Sequence, residues 1–202
     1  MKEYPSIDAV VRDGTYYCYD KLDGSGVRGE WDPKKGFWKF GKRHGLIDGS
    51  NPHLQLAQDL IQRKYGEDLA RIFRTERWRK VTAFFELWGP RSFAGNHEDG
   101  DDITVTLLDS AVDNRGLLAP RDFVRTFDRV DHAALLHRGP VGEVAEQVRV
   151  GTLPGMTFEG VVCKGAWASP GLPRMFKIKN QAWYEKLRQR CGGDEALFEA
   201  MK

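Results

Sequence analysis

The chain has 202 residues, 31 Lys and Arg against 29 Asp and Glu, and a formal net charge of +2. With 41% hydrophobic and 30% charged residues it has the balance of a globular protein, and its near-neutrality excludes coating nucleic acid through global charge. No apolar run reaches the roughly 18–20 residues of a membrane span. The opening MKEYPSIDAVVRDG lacks the basic flank and apolar core of a signal peptide and reads as a mature N terminus. Cys18, Cys163 and Cys191 are odd in number and show no C-x-x-C spacing, which argues for a reducing cytoplasm and against a disulfide framework or a Cys-rich zinc site.

The first forty residues read as strands and tight turns. TYYCYDKLDG, VRGEW and GFWKF carry aromatic or alternating patterns, and DPKKG is a hairpin loop. Asn51-Pro52 supplies an N-cap and a first-turn proline, after which Leu54, Ala57, Ile61 and Tyr65 recur at helical spacing. Gly66 predicts a break before Leu69, Ile72 and Phe73 continue the stripe. WRKVTAFFELWG and ITVTLLDSAV predict further strands around the polar loop SFAGNHEDGDD. Pro120 and Pro140 each predict the start of a short helix, PRDFVRTFDRV and PVGEVAEQVRVG. MTFEGVVCKG and RMFKIKN predict the last strands, and the tail predicts two short helices parted at Gly192-Gly193. The irregular mixture predicts an α+β fold with a largely antiparallel sheet.

Four segments lie at or beside predicted strands: Lys21-Leu22-Asp23-Gly24, Phe85-Glu86-Leu87-Trp88-Gly89, Glu159-Gly160-Val161-Val162-Cys163-Lys164 and Lys177-Ile178-Lys179. Each alone has an ordinary structural explanation, since Asp-Gly suits turns and lysine guards edge strands. Together and in this order, KLDG, FFELWG, EGVVCK and KIK resemble the motifs of the covalent nucleotidyltransferase superfamily of ATP-dependent ligases and capping enzymes. The likeness runs from about residue 17 to 180. KFGKRHG also resembles a basic element that RNA ligases carry between the first two motifs. Only residues 181–202 follow Asn180, too few for the OB-fold barrel common in DNA ligases and capping enzymes, so the resemblance is to phage-type RNA ligases.

The resemblance implies a ligase-type nucleotidyltransferase fold with twisted, mainly antiparallel sheets flanked by helices. It would comprise an adenylation domain over residues 1–180, a helical tail over 181–202 packed on it, and no OB-fold. It implies an ATP-dependent RNA ligase that forms a lysyl-AMP intermediate, passes AMP to a 5′-phosphate end and seals it to a 3′-hydroxyl, with a cytoplasmic, phage-type setting. Lys21 would attack the α-phosphorus as an uncharged amine, its pKa lowered by neighbouring cations or desolvation. Lys177 and Lys179 would contact the phosphates, and a bulge or strand end is expected to be needed for both to reach them. Glu159 would hold Mg²⁺ or Mn²⁺, directly or through water.

Glu86 fits an acceptor for ribose hydroxyls, and Arg28 and Arg43 fit phosphate or ribose oxygens. Asp20 would accept from the adenine amino group or neutralise Lys21 or Arg28, and the N–H of Leu22 would read the purine edge. The family's adenine-stacking strand is ITVTLLDSAV here, leaving Leu107 or Leu108 to supply an apolar face. RNA ends are the implied partners, through the GKR of residues 41–43, the hairpin lysines Lys34, Lys35, Lys39 and Lys42, or the Arg71, Arg74, Arg77, Arg79 and Lys80 cluster. A separate protein could supply a second domain. A minimal DNA ligase, a capping guanylyltransferase and a non-catalytic nucleotide- or RNA-end-binding protein are the alternatives. The run His97–Asp102 reads as a solvated turn, the histidines lack zinc spacing, Trp78, Trp88 and Trp167 read as core, and Cys163 as inert.

Overall fold

The alternating segments of the sequence form two antiparallel sheets. The computed structural model describes residues 1–49, 51–90, 100, 102–165 and 174–202; most of the run His97–Asp102, and Trp167, lie outside them. A five-stranded sheet has the order β3 (Gly36–Lys42), β2 (Gly24–Asp32), β4 (Val81–Trp88), β5 (Thr104–Val112) and β6 (Gly116–Leu117). A four-stranded sheet has the order β7 (Leu135–Pro140), β1 (Thr15–Asp20), β8 (Gly160–Gly165) and β9 (Met175–Lys179). Among the described residues neither sheet closes into a barrel, and no helix is long and apolar enough to cross a membrane.

Helix α1 (Pro52–Thr75) begins where the cap signal predicts. The Asn51 side chain accepts from the N–H groups of His53 and Leu54, and Pro52 takes the first turn. It runs unbroken through Gly66, contrary to the expected break. Ala57, Ile61, Tyr65, Leu69, Ala70 and Phe73 are buried against Val27, Trp31, Ala83, Phe85 and Leu107 of the five-stranded sheet. Each large side chain so buried contributes on the order of 1.5–3 kcal/mol, against about 1 kcal/mol lost to one helical glycine. Packing therefore decides the helix.

Pro140 does not start a helix either. It closes β7, an edge strand that the sequence pattern did not reveal, and is followed by a 3₁₀ turn at Val141–Glu143 and the short α3 (Ala145–Arg149). A proline is tolerated at such an edge because its missing N–H is not needed by a neighbour. Val141, Val144 and Val148 from this stretch pack on Cys18, Val161, Cys163, Phe176 and Ile178 behind the four-stranded sheet. Helix α2 (Pro120–Thr126) buries Phe123, and the tail forms α4 (Gln181–Arg190) and α5 (Glu195–Met201), whose Trp183, Leu187 and Phe198 make a third cluster.

Cys163 is not isolated. It is the register partner of Cys18 across β1 and β8, with the sulfurs 3.3 Å apart and fully buried. Of the basic cluster on and after α1, Arg71 pairs with Asp68 and Lys80 with Glu30, while Trp78 is buried in the core.

Candidate active site

Strand β1 belongs to one sheet and β2 to the other, so Lys21-Leu22-Asp23 is the crossing between them. Two backbone bonds pin the crossing: Asp20 N–H donates to Ala134 O at 2.8 Å and Lys21 N–H to Gly160 O at 2.9 Å. Two glycines allow this close approach. A Cβ on Gly24 would stand 2.2 Å from Leu87 O, and one on Gly160 2.1 Å from Ile178 O, with Gly160 also at φ +140°. The K-x-D-G and E-G patterns thus carry a packing requirement beyond turn preference. The crossing opens on a cleft of about 510 Å³ lined from both sheets and from the tail.

At its floor one buried carboxylate holds two amines. Lys21 Nζ donates to Glu159 Oε2 at 2.8 Å, and Lys179 Nζ lies 2.7 Å from Glu159 Oε1. The Lys179 ammonium also sits 3.5 Å from the centroid of the Trp183 ring. Lys177 lines the same cleft. Residues two apart in a strand share a face, and β8 and β9 pair with no register shift. Both lysines therefore reach the cleft without the expected bulge.

Burial alone would lower the Lys21 pKa, but Glu159, Glu86 and Asp23 outweigh it and hold the amine above the usual lysine value. The ligand-free cleft therefore favours the ammonium form of Lys21, opposite in direction to the expected lowering by neighbouring cations or desolvation. The depressed amines are its neighbours. Burial, offset by Glu159 and reinforced by Lys21 and Lys177, brings Lys179 down to about 8, and burial with Lys21 and Arg43 lowers Lys177. Glu86 moves the other way. Burial, opposed by Lys21 and helped by Glu159 and Asp23, raises it to about 8, which favours the protonated acid more than in an ordinary glutamate.

The other residues singled out in the sequence divide. Asp20, Leu22, Arg28, Arg43, Glu86 and Leu108 line the cleft, whereas Leu107 is fully buried against α1 and does not. The register of β5 with β4 slips here, Phe84 facing Asp109 and Phe85 facing Leu107, so Leu108 is the extra residue of a bulge, and of the two leucines it alone reaches the cleft. Among the described residues Asp20 forms no ion pair with the Lys21 amine or with Arg28; its Oδ1 accepts from Thr157 N–H at 3.0 Å, and burial raises its pKa. Arg28 is held by Lys2 O at 2.8 Å and Glu3 Oε1 at 3.2 Å.

Several contributors escaped sequence reasoning. Tyr4, Pro5 and Ile7 line the cleft, and the Tyr4 ring packs 4.9 Å from Phe84 while its hydroxyl donates to Asp109. Lys164, buried against Asp109 Oδ2 at 2.9 Å and Leu108 O at 2.9 Å, ties β8 to β5 beneath the cleft. Trp183, Leu187, Ala200 and Met201 bring the tail to the same wall. The helical spacing of Trp183 and Leu187 signals burial, but no local signal announces the lysine on the indole.

Among the described residues no group of three or more carboxylate, thiol and imidazole side chains converges. The buried Glu159 carboxylate fits a divalent ion whose remaining ligands are phosphate oxygens and water, the way Mg²⁺ is commonly held.

No protein-family model matches the chain, and no curated protein matches it in sequence. Solved structures do. An archaeal ATP-dependent RNA ligase superposes with a TM-score of 0.68 at 17% identity, over 95% of this chain and 52% of that one. The Naegleria gruberi RNA ligase with PPi gives 0.57 at 17% identity over 87% and 52%, and a variant of it with AMP and Mn gives 0.56 at 16% over 91% and 59%. The chain spans about half the length of these structures and has the fold of their ligase-type nucleotidyltransferase region, as the motif resemblance implied.

Proposed function

We propose that the chain is the nucleotidyltransferase unit of an ATP-dependent RNA ligase of the covalent nucleotidyltransferase superfamily, working through a lysyl-AMP intermediate on Lys21. The observation that carries this reading is the convergence of Lys21 and Lys179 on the two oxygens of buried Glu159, at a sheet-to-sheet crossing where all four motif segments meet. The RNA ligase fold and the neighbours with ATP or AMP and Mn support it.

ATP enters with its base against Leu108 and Phe84 and its ribose hydroxyls at Glu86. Asp20 and the Leu22 N–H lie near the purine edge, and Arg28 and Arg43 serve phosphate or ribose oxygens. Lys177 and Lys179 meet the phosphates, their positive charge stabilising the oxygens as negative charge develops. Glu159 would hold Mg²⁺ or Mn²⁺, which supplies further neutralisation of that charge. With a cation on Glu159, Lys21 would lose its main counter-charge while Lys177 and Lys179 remain beside it, which would favour release of its proton to water in the open cleft. Lys21 Nζ attacks the α-phosphorus, an N–P bond forms, the P–O bond to pyrophosphate breaks, and lysyl-AMP results. AMP then passes to a 5′-phosphate end, and a 3′-hydroxyl displaces it. Because Trp183 and Leu187 line the cleft, residues 181–202 act as part of the adenylation unit; a separate partner could supply a second domain.

Incubation with α-labelled ATP and Mg²⁺ or Mn²⁺, followed by denaturing electrophoresis, tests the reading. The label should be labile to acid and hydroxylamine, stable to alkali, and absent from Lys21→Ala and from Lys21→Arg, whose guanidinium stays protonated. Labelling that survives Lys21→Ala overturns it. A GTP preference would indicate a capping guanylyltransferase, sealing of nicked DNA alone a minimal DNA ligase, and ATP binding without label a non-catalytic binder.

A further inference from the structure

The cleft ends at Lys42 and Arg43, and β3 carries the surface onward from there. Residues 33–43 hold five cations, Lys34, Lys35, Lys39, Lys42 and Arg43, and no carboxylate, in a chain whose charges otherwise nearly cancel. The acids nearest in sequence are already engaged. Glu30 meets Lys80 at 3.2 Å, and Asp32 Oδ1 closes the hairpin turn by accepting from the N–H groups of Lys34 and Lys35.

On this basic edge stands one large aromatic ring. Strand β3 is at the margin of its sheet, and its register with β2 slips: Lys39 faces Glu30 and Phe37 faces Trp31, which leaves Trp38 as the extra residue of a bulge. A bulge re-aims the side chain it carries. Phe37 and Phe40 turn into the core, whereas Trp38 stays 44% exposed, with Lys35 Nζ 4.1 Å and Lys39 Nζ 5.6 Å from its ring centroid. Edge protection accounts for lysines at a sheet margin. It does not account for an exposed indole among them, which adds the apolar surface that such lysines serve to mask.

We propose that Trp38 with Lys34, Lys35 and Lys39 is a stacking platform for the single-stranded RNA that leads into the cleft, a reading that rests on the ligase function proposed above. Every base has a π-face that can stack on an indole, and a cationic track holds the backbone without reading sequence. The lysines on the ring keep it solvated until a base replaces them, and they then turn to the flanking phosphates. Trp38 lies four strand residues from Lys42, about 13 Å at the usual rise. The stacked base is thus a few nucleotides from the reacting end.

Binding of a short, 5′-phosphorylated single-stranded RNA, read by fluorescence anisotropy across a salt series, tests this beside the ATP-labelling assay on the same variants. Trp38→Ala should weaken RNA binding about 5- to 150-fold, the equivalent of about 1–3 kcal/mol. Trp38→Phe should retain most of the affinity. Lys35→Ala and Lys39→Ala should each reduce the slope of log affinity against log salt by about 0.7. Lysine labelling by ATP should be unchanged in all four. Wild-type affinity in Trp38→Ala, no RNA binding by the wild type, or equal loss of labelling and binding would overturn the platform. A wild-type protein that binds RNA through Trp38 but takes no label from ATP would support the platform and sink the ligase reading.

Discussion

Replacing Glu159 by glutamine removes the negative charge shared by the buried Lys179 amine and the half-buried Lys21 amine. At 2.8 Å and an effective dielectric constant of about 20, each amine–carboxylate attraction is worth about 6 kcal/mol before desolvation. Desolvation offsets much of this, and breaking a buried pair from one side leaves a net loss of about 3–5 kcal/mol, here with two ammoniums facing one neutral amide. For a chain of this length that lowers Tm by about 6–20 °C. The loss has a pH signature. With the carboxylate gone, Lys179, already about 8, falls further and Lys21 loses the charge that held it up against burial, so the folded variant binds fewer protons than the unfolded chain, whose lysines titrate at about 10.4. Its stability therefore rises with pH up to that value. Thermal unfolding followed by circular dichroism should show a large deficit at pH 7 that shrinks toward pH 10. A Glu159→Gln protein with wild-type Tm at pH 7, or with a deficit independent of pH, would refute the two-amine arrangement.

Three further outcomes are expected. Glu86→Gln should raise Tm more at pH 9 than at pH 5. The raised folded pKa, about 8, gives the native acid a contribution that is full below the unfolded value and lost as pH climbs through 8; a pH-independent effect would mean that burial is not what holds the proton. Trp183→Leu keeps apolar bulk but removes the ring beneath Lys179. It should slow ATP-dependent labelling by up to about 30-fold and move the alkaline limb of its pH profile to lower pH, as the amine loses a partner for its charged form. Gly66→Ala should stabilise by about 1 kcal/mol in a denaturant titration with labelling unaltered. The helix is continuous there, and a Cβ at this position meets nothing within 4 Å.

Where sequence reasoning went wrong, a longer-range force had overridden a local rule. Gly66 has poor helix propensity, but Tyr65 and Leu69 on either side are buried against the sheet, and that packing outweighs one glycine. Pro140 can begin a helix or end an edge strand, and nothing within a few residues distinguishes the two. Leu107 and Leu108 are interchangeable as adjacent apolar residues until the bulge at Leu108 is known, and then only Leu108 remains at the cleft. The basic run on and after α1 left a solvated face and an RNA contact both open, and Arg71 there pairs with Asp68 three residues before it, while Lys80 reaches Glu30 of β2.

The residue order alone determined the strands other than β6 and β7, the cap of α1, the four motif segments and the glycines at 24 and 160, because hydrophobic period and turn chemistry act over a few residues. Only the tertiary structure decided the charge on Lys21, the proton on Glu86, the meeting of Cys18 with Cys163, and the presence of Tyr4 and Trp183 at one cleft. A pKa is a sum over every neighbour within several ångströms. For Lys21 the deciding neighbour, Glu159, stands 138 positions away along the chain.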